Sequence, residues 1–346
     1  MNNESLNERT MDVWSKFRKF HFAKRSRSSQ RIDRPLPKAP PTMTLTVLIA
    51  GLPGSMGHEV AGACLRRGYH VAPISLSGTS THTVQIKPEP NKPTSATNPT
   101  QDVTLLPSNT DTTEAQLRTY LDSLAGPLIV VDYTHPSAVN ANAELYAKMQ
   151  LPFVMGTTGG DRDKLMQDTL NAGTYAVIAA NMCKQIVALQ TVLENMSTQF
   201  PGAFSGYTLK VTESHQSTKA DTSGTAKEMV KYFNGLTSTN YAIEDVIKLR
   251  EQTVQESFGV PSEHLNGHAF HTYDLESPTV SFQFQHNVCG RRTYAEGTVD
   301  AVGFLLGRME NGGGGGGKGE EATSSSGGGG KRVFDMIDVL KSGGMR

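Results

Sequence analysis

The chain has few cysteines, no long apolar run and no net charge. Its three cysteines, Cys64, Cys183 and Cys289, lie far apart and form no CxxC pair. This excludes a disulfide framework and a structural zinc site, leads us to expect no bound metal, and is typical of a reducing compartment. No apolar run approaches the roughly 20 residues that span a bilayer, so we expect no membrane partner.

The zero net charge conceals an uneven distribution. Residues 1–42 carry ten Lys and Arg against four acidic residues, a net charge of +6, so the rest of the chain carries −6. We predict that residues 1–42 are a disordered basic leader, either a plain flexible extension or an organelle transit peptide. The plastid stroma and the cytoplasm are both compatible locations. The acidic remainder disfavours a nucleic-acid partner.

Strands alternate with helices over residues 43–181, a pattern that indicates a doubly wound parallel sheet and a dinucleotide-binding domain. The first strand is the apolar run 45–51, a helix follows from Ser55, and a second strand is predicted over Tyr69–Leu76. Residues 78–113 are rich in Pro, Thr, Ser and Asn. We therefore expect a surface insert there, with short strand-like pieces at 83–86 and 103–106.

After Asn181 the predicted strands mostly stop alternating with helices. This favours a second α+β domain over residues 182–297, with a mixed sheet and a strand across Lys248–Gln255. A helix over Thr298–Leu306 begins a return to the first domain, which continues to residue 346 and is interrupted by a Gly/Ser linker at 311–330. The expected fold class is α/β, a Rossmann-like doubly wound parallel sheet with an α+β substrate-binding and oligomerisation domain.

A glycine turn, Gly51-Leu-Pro-Gly54-Ser-Met-Gly57, connects the first strand to the first helix. Glycines there let the backbone turn tightly and approach a pyrophosphate, while the start of the helix offers free N–H groups to phosphate. The spelling is GxxGxxG rather than GxGxxG, and a merely tight turn is the alternative. In a strand-turn-helix context we favour nucleotide binding.

The end of the predicted second strand bears on the choice of cofactor. An acidic residue there normally holds the ribose 2′-hydroxyl of NAD, whereas this strand ends in Ile74-Ser75-Leu76-Ser77. A pocket lined by hydroxyls does not repel a 2′-phosphate. NADPH is therefore slightly favoured over NADH.

Gly156-Thr157-Thr158-Gly159 follows a predicted strand at the carboxyl edge of the sheet, where open α/β sheets bind their ligands. Taken alone, this motif is equally typical of an ordinary strand-to-helix turn whose threonines cap the next helix.

The most informative stretch runs from Glu213 to Thr225 and places His215, Lys219 and a Ser-Gly-Thr turn in one loop. Histidine can donate a proton near neutral pH, lysine adds positive charge, and hydroxyls with helix N-terminal N–H groups form an anion seat. Such a loop suits a small carboxylate. As alternatives, Thr225 and Glu228 spell a capping box, and His215 and Lys219 could be ordinary polar residues.

Together these residues resemble the dihydrodipicolinate reductase family, and its plant-type branch in particular. The resemblance runs from about residue 45 to the C-terminus. It rests on the glycine turn, Asp132-Tyr-Thr-His-Pro136, Gly156-Thr-Thr-Gly159, Ala180-Asn181, the His-x-x-x-Lys-x-Asp-x-Ser-Gly-Thr loop, the Arg291 region and Val333-Phe-Asp-Met-Ile-Asp-Val-Leu340.

The resemblance implies NAD(P)H-dependent reduction of a cyclic dicarboxylate, 4-hydroxy-tetrahydrodipicolinate, on the diaminopimelate route to lysine, by a homodimer or homotetramer. It implies that His215 is the general acid and Lys219 its cationic partner. The substrate-binding residues would be Gln216, Ser223, Gly224, Thr225 and Arg291. The cofactor-binding residues would be Gly51, Gly54, Ser55, Met56, Gly57, Ser75, Ser77, Thr134, Gly156, Thr157, Thr158, Ala180 and Asn181.

The sequence departs from the bacterial pattern at Gln216, where a second histidine is usual, and at Ser55, where arginine is common.

Two other functions compete with this assignment. One is another two-domain NAD(P)-dependent reductase of a small carboxylate, and the other is a non-catalytic NADPH-sensing regulator. A regulator would have no need to keep His215, Lys219 and the Ser-Gly-Thr turn together.

Overall fold

The structure is a computed structural model, and it describes residues 45–77, 81–107, 110–311 and 330–343. The predicted leader at 1–42 and almost all of the Gly/Ser linker lie outside these residues. The strands are β1 (Thr46–Ala50), β2 (His70–Val71), β3 (Ile74–Leu76), β4 (His82–Ile86), β5 (Gln101–Leu106), β6 (Leu128–Asp132), β7 (Phe153–Met155), β8 (Ala176–Ile178), β9 (Thr208–His215), β10 (Ile247–Leu249), β11 (His268–Glu276), β12 (Ser281–Cys289) and β13 (Val333–Phe334).

The helices are α1 (Ser55–Arg66), α2 (Asp111–Asp122), α3 (Val139–Lys148), α4 (Arg162–Ala172), α5 (Lys184–Gln199), α6 (Gly224–Thr237), α7 (Gln252–Ser257), α8 (Arg292–Asn311) and α9 (Met336–Lys341). Short 3-10 turns occur at Pro136–Ala138, Ile243–Asp245 and Ser262–His264. Among the described helices, none is both long and apolar enough to cross a membrane.

Six strands form a parallel sheet in the order β13-β8-β7-β6-β1-β2. β1 shows why this sheet must be covered on both faces: Val47 and Ile49 join one apolar core while Leu48 and Ala50 join the other. Side chains alternate across a strand, so a strand that is apolar at every position is buried on both sides. Helices α1 and α8 contribute to the first core, and α2, α3 and α4 to the second. The predicted doubly wound fold is confirmed.

A second sheet has the order β10-β9-β11-β12, with β10 and β9 parallel and the other pairs antiparallel. Its core lies against α5 and α6 and includes Leu193, Val211, Phe233 and Tyr273. The predicted mixed sheet is therefore confirmed. The Lys248–Gln255 strand is wrong, since the strand ends at Leu249 and α7 begins at Gln252.

Two expectations for the region after α1 need correction. The strand predicted over Tyr69–Leu76 is split at Ala72-Pro73, because proline cannot donate to a strand ladder: β2 joins the parallel sheet, whereas β3 pairs with β5. The insert 78–113 is also more than a surface elaboration. Its strands β4 and β5 complete a three-stranded sheet with β3, and Ile86, Val103 and Leu105 are fully buried in the first core.

The return segment is longer than predicted. α8 begins at Arg292, six residues before the predicted Thr298. β13 then adds a strand beside β8, and α9 packs behind it with a capping box formed by Asp335 and Asp338. The first sheet is thus completed by residues from the far end of the described chain.

Candidate active site

The glycine turn at the end of β1 is shaped for a close backbone approach. Gly51 has φ +111°, and a Cβ there would lie 2.2 Å from the Tyr133 carbonyl oxygen, so only glycine fits. The Gly54 N–H donates to the Gly51 carbonyl (2.9 Å), and α1 begins directly afterwards. α1 has no side-chain cap and no acidic residue in its first turn, which leaves its positive end available to an anion.

The other residues of this turn differ in exposure. Gly54 and Ser55 are exposed, Met56 is half-buried, and Gly57 is buried where the helix meets the turn.

Ser75 and Ser77, the two hydroxyl-bearing residues predicted to bind the cofactor, differ in their surroundings. Ser75 is fully buried, and its hydroxyl donates to the Ile49 carbonyl at 2.5 Å, so the expected contact of this side chain with a cofactor is corrected. Its place inside β3, between two covered faces, accounts for this. Ser77 follows the strand and stays half-buried, and its N–H donates to the Leu106 carbonyl.

Asp132, at the end of β6, organises the carboxyl edge of the sheet. One carboxylate oxygen accepts from the Thr134 N–H, the Thr134 hydroxyl (2.7 Å) and the Thr157 hydroxyl (2.6 Å). The other accepts from the Asn142 amide (2.9 Å) and the Tyr146 hydroxyl (2.7 Å). The hydroxyls of Thr134 and Thr157 are thus directed at Asp132. They offer a ligand a fixed backbone rather than a free hydroxyl.

Gly156 and Tyr133 are in close contact at this edge. A Cβ on Gly156 would lie 2.3 Å from the Tyr133 ring, so the motif needs glycine here. The Tyr133 hydroxyl is 2.7 Å from the Thr298 hydroxyl of α8, which fixes the ring. Thr158, two residues on, is exposed.

A cavity of about 280 Å³ lies between the carboxyl edge of the first sheet and the end of β9. It brings together seven of the residues singled out from the sequence: Met56, Gly156, Ala180, Asn181, His215, Gln216 and Arg291. The carboxyl edge of the first sheet and the loop bearing His215 therefore face one another across a single space.

An adjoining cavity of about 810 Å³ gathers seven predicted residues, two of them shared with the first: Thr158, Ala180, Asn181, Lys219, Ser223, Gly224 and Thr225. The shared Ala180 and Asn181 show that the two cavities meet at the segment between β8 and α5. His215 lines the smaller cavity and Lys219 the larger one.

His215 ends β9, and burial and positive charges near it outweigh the Glu213 carboxylate, which lies 4.0 Å from its ring. Burial, followed by the positive charges of Lys219 and Arg250, lowers the pKa of His215 to about 3. Its Nε2 lies 3.3 Å from the Nε2 of His271 on β11, and His271 stacks on His286 of β12. His215 is therefore neutral in the ligand-free protein at physiological pH.

Glu213, His215 and His271 place their ligating atoms within 4.8 Å of one another. Such a trio can bind a metal in other settings. Here one Glu213 oxygen accepts from Arg250 (2.5 Å) and the other from the Ser223 N–H (2.9 Å). The carboxylate is already satisfied and has a guanidinium beside it, so it does not present the free negative charge that a cation needs.

The Ser-Gly-Thr turn begins α6. Ser223 is the N-cap residue, the helix has no side-chain cap, and its first turn carries no acidic residue. The alternative interpretation of Thr225 and Glu228 as a capping box is therefore wrong, because the helix begins one residue earlier. The Thr225 hydroxyl accepts from the Asn181 amide (3.2 Å), so it ties the turn to the segment between the two sheets. The free N–H groups of this helix remain open to a carboxylate.

The Lys219 ammonium donates to Asp221 at 2.7 Å, which lowers the pKa of Asp221. Asp221 is largely exposed, with 71% of its side chain accessible, so water can take over its bond. The lysine is thus held near the larger cavity by a partner that it can exchange for an anionic ligand.

An ionic cluster fixes the segment that joins the two sheets. Asp300 of α8 is almost fully buried and accepts from Arg67 (2.6 Å) and from Lys184, the first residue of α5. Glu296, one turn earlier, pairs with both Arg66 and Arg67. The start of α5 is therefore anchored to the helices that cover the first sheet.

Several residues of the site have no local sequence signal. The smaller cavity is also lined by Tyr133, which belongs to a motif quoted above, and by residues that no motif indicated: Met182, Gly267, His268, Ala269, Gly290 and Tyr294. Asp132 belongs to a motif quoted above, but its role as the acceptor for two threonines was missed. Arg250 and His271 meet His215 and Glu213 only through the pairing of β10 and β11 with β9.

Two protein-family models match the chain: "Dihydrodipicolinate reductase, N-terminus" over residues 45–182 and "Dihydrodipicolinate reductase, C-terminus" over residues 185–313. The chain is 44% identical to "Probable 4-hydroxy-tetrahydrodipicolinate reductase 1, chloroplastic" of Oryza sativa subsp. japonica, covering 90% of this chain and 82% of that protein. It is also 44% identical to "4-hydroxy-tetrahydrodipicolinate reductase 1, chloroplastic" of Arabidopsis thaliana, covering 87% and 79%.

Among solved structures, the dipicolinate-bound dihydrodipicolinate reductase from Paenisporosarcina sp. TG-14 matches with a TM-score of 0.49 and 17% identity, covering 77% of this chain and 96% of that one. The assignment rests on the sequence matches and does not depend on this likeness. The resemblance stated from the motifs and the expected reductase class are confirmed. The chain belongs to the dihydrodipicolinate reductase family.

Proposed function

We propose that the protein reduces 4-hydroxy-tetrahydrodipicolinate to tetrahydrodipicolinate with NAD(P)H, in the diaminopimelate route to lysine. Family membership supports the reaction. The observation that carries the site assignment is the cavity in which His215 and Gln216 face Gly156 and Met56 of the dinucleotide side. This arrangement supports an acid-base role for His215 beside a bound cofactor.

The dinucleotide would be held by the turn at Gly51 and by the free amino end of α1. Its reactive end would lie along Gly156, Thr158, Ala180 and Asn181, which line the two cavities. The bound cofactor supplies the hydride. Asp132 holds the backbone of β6 and of the Gly-Thr-Thr motif in register, so the edge against which the cofactor lies is rigid.

NADPH is favoured over NADH because no carboxylate follows β3. Ser77 is the hydroxyl that remains near this position once Ser75 is bonded to Ile49. A paired steady-state measurement tests this directly. A higher kcat/KM with NADPH supports the preference, and a clear preference for NADH contradicts it.

The substrate carboxylates would bind at the start of α6, where Ser223, Gly224 and Thr225 present N–H and hydroxyl groups, with Lys219 and Arg291 adding positive charge. Over the whole reaction the hydride from the cofactor replaces the 4-hydroxyl group of the substrate, which leaves as water, and His215 would donate the proton that this balance requires. Lys219 would leave Asp221 to meet the negative charge that builds up on the ring.

A test follows the loss of NADPH absorbance with freshly generated substrate. His215→Ala is expected to lower kcat by about 10²- to 10⁴-fold, the usual contribution of a general acid, while NADPH affinity stays within about twofold. His82→Ala, on an exposed position of β4, is the matched control. Turnover at the wild-type level in His215→Ala would contradict the assignment.

The second sheet supports self-association into a homodimer or homotetramer. β12 is an edge strand with largely exposed side chains, and Phe282 is 40% accessible although it packs edge-on against Phe204. Open edges and exposed apolar side chains are common at protein interfaces. Light scattering on the purified protein is expected to give a multiple of 37.4 kDa, and Phe282→Lys to shift it toward the monomer.

A chloroplast location is proposed because the named rice and Arabidopsis relatives are chloroplastic and residues 1–42 are basic. A fusion of residues 1–42 to a fluorescent protein is expected to enter plastids. Fluorescence confined to the cytoplasm would contradict this location.

A further inference from the structure

The loop that carries His215, Lys219 and Ser223 is held through its backbone at each of these three residues. The Gln255 amide donates to the His215 carbonyl at 2.6 Å. The Arg250 Nε donates to the Lys219 carbonyl at 2.7 Å. The third bond joins the Ser223 N–H to Glu213, as described above. Each anchor holds a backbone group and makes no bond to the functional side chain.

Arg250 and Glu213 make these anchors into one unit. The same guanidinium that holds the Lys219 carbonyl donates through Nη2 to Glu213 (2.5 Å), and through Nη1 to the Leu249 carbonyl (3.1 Å). Glu213 is fully buried, and its second oxygen holds Ser223. A continuous chain of bonds therefore runs from the Lys219 backbone through Arg250 and Glu213 to the first residue of the anion seat.

Arginine suits position 250 better than lysine. The three acceptors lie in different directions, and a planar guanidinium with five donors can reach all of them, whereas an ammonium on a flexible stem would hold one. Arg250 also provides the positive charge that a buried Glu213 needs. Neither side chain is among the residues that line the two cavities, although the Glu213 carboxylate lies directly behind them, 4.0 Å from the His215 ring.

We infer that Arg250, paired with Glu213, is a positioning residue of the reaction: it sets the distance between Lys219 and the Ser-Gly-Thr seat, and so determines how well a dicarboxylate is bound. The inference rests on the proposed roles of Lys219 and Ser223. The expected effect is on substrate binding alone, because the glycine turn and α1, which would hold the cofactor, make no bond to Arg250 or Glu213.

The test is Arg250→Lys, which keeps a positive charge beside Glu213 but cannot span the three acceptors. Kd is measured for pyridine-2,6-dicarboxylate and for NADPH by calorimetry, and kcat and KM in the absorbance assay. We expect the KM for substrate and the Kd for the dicarboxylate to rise at least tenfold, with the Kd for NADPH within twofold. Arg292→Lys, an exposed arginine of α8, is the control that should leave all values unchanged.

A double-mutant cycle identifies the route of the effect. If Arg250 acts by positioning Lys219, introducing Arg250→Lys into the Lys219→Ala variant should raise its KM by less than threefold, because the effects of coupled residues are not additive. Glu213→Gln offers an independent variant with the same expected pattern if Arg250→Lys folds poorly. A folded variant of either residue with dicarboxylate Kd and substrate KM within twofold of wild type overturns the inference, as does equal weakening of NADPH.

The same set of variants separates this inference from the proposed function. If Lys219→Ala leaves KM unchanged, the assigned role of the loop fails, and the inference fails with it. If Lys219→Ala raises KM while Arg250→Lys does not, the loop keeps its role and only the positioning by Arg250 is refuted.

Discussion

Binding of a dicarboxylate at neutral pH is expected to draw a proton from solution onto His215. In the ligand-free protein its pKa is lowered to about 3 by burial and by the charges of Lys219 and Arg250. At pH 7 about one molecule in 10⁴ then carries the proton, since each pKa unit is a factor of ten. A general acid in this state has nothing to donate until a ligand changes its surroundings.

The ligand adds negative charge to that of Glu213, whose carboxylate lies 4.0 Å from the His215 ring. One carboxylate within 4–6 Å raises a neighbouring histidine pKa by about 1–3 units, so two carboxylates would bring His215 to about 5–9. At pH 7 this corresponds to uptake of about 0.01–1 proton per ligand, and about 0.5 at the centre of the range. Substrate binding would thereby load the acid that the reaction needs.

Calorimetry measures the uptake. Pyridine-2,6-dicarboxylate is titrated into the protein at pH 7 in several buffers, and the slope of the observed enthalpy against the buffer ionisation enthalpy gives the number of protons. His215→Gln keeps a polar side chain without a titratable ring, and its slope is expected to fall to near zero. Equal slopes in the two proteins would refute the reasoning, because the proton would then belong to another group.

Three further predictions concern stability and cofactor binding. Asp300→Asn removes a nearly fully buried carboxylate from its two basic partners and should lower the free energy of unfolding by about 3–5 kcal/mol. Glu296→Gln changes a more exposed pair and should lower it by about 1 kcal/mol or less. Equal losses in a denaturant titration would contradict the burial argument. Gly51→Ala should abolish NADPH binding, because its Cβ meets a backbone oxygen at 2.2 Å, while Gly68→Ala, with open space around it, should bind NADPH normally; calorimetry decides between them. Burial lowers the pKa of His286 to about 4, below its value near 6.5 in the unfolded chain, so the unfolded state takes up the extra proton and stability is lost as pH falls below about 6.5. Between pH 7 and pH 5 this loss is about 2 kcal/mol, and a denaturation series in which His286→Asn keeps the full pH dependence would be inconsistent with it.

The sequence predicted those parts of the fold whose signals are local. The apolar run of β1, the glycines after it and the helical period that follows are neighbours in the chain, and the structure has them as expected. The loop from His215 to Thr225 could also be recognised from the sequence, because all its residues lie within one stretch. Where the pattern spans a few residues and one turn, residue order is close to spatial order.

Contacts between distant strands could not be read in this way. The loose composition of the insert concealed that Val103 and Leu105 alternate into the core of the first sheet. Ser75 looked like a pocket residue because its position in the chain was right, but its hydroxyl faces Ile49 on the neighbouring strand. Arg250 gave no signal, since its role follows from β10 lying beside β9.

The addition of β13 beside β8 has a consequence for how the protein is made. Until residues 333 and 334 leave the ribosome, the edge of β8 has no partner there, although every other strand of the parallel sheet has long been synthesised. An unpaired edge on a nearly finished sheet can pair with another chain. In the newly made protein this edge of the sheet therefore stays open until its last strand arrives and covers it.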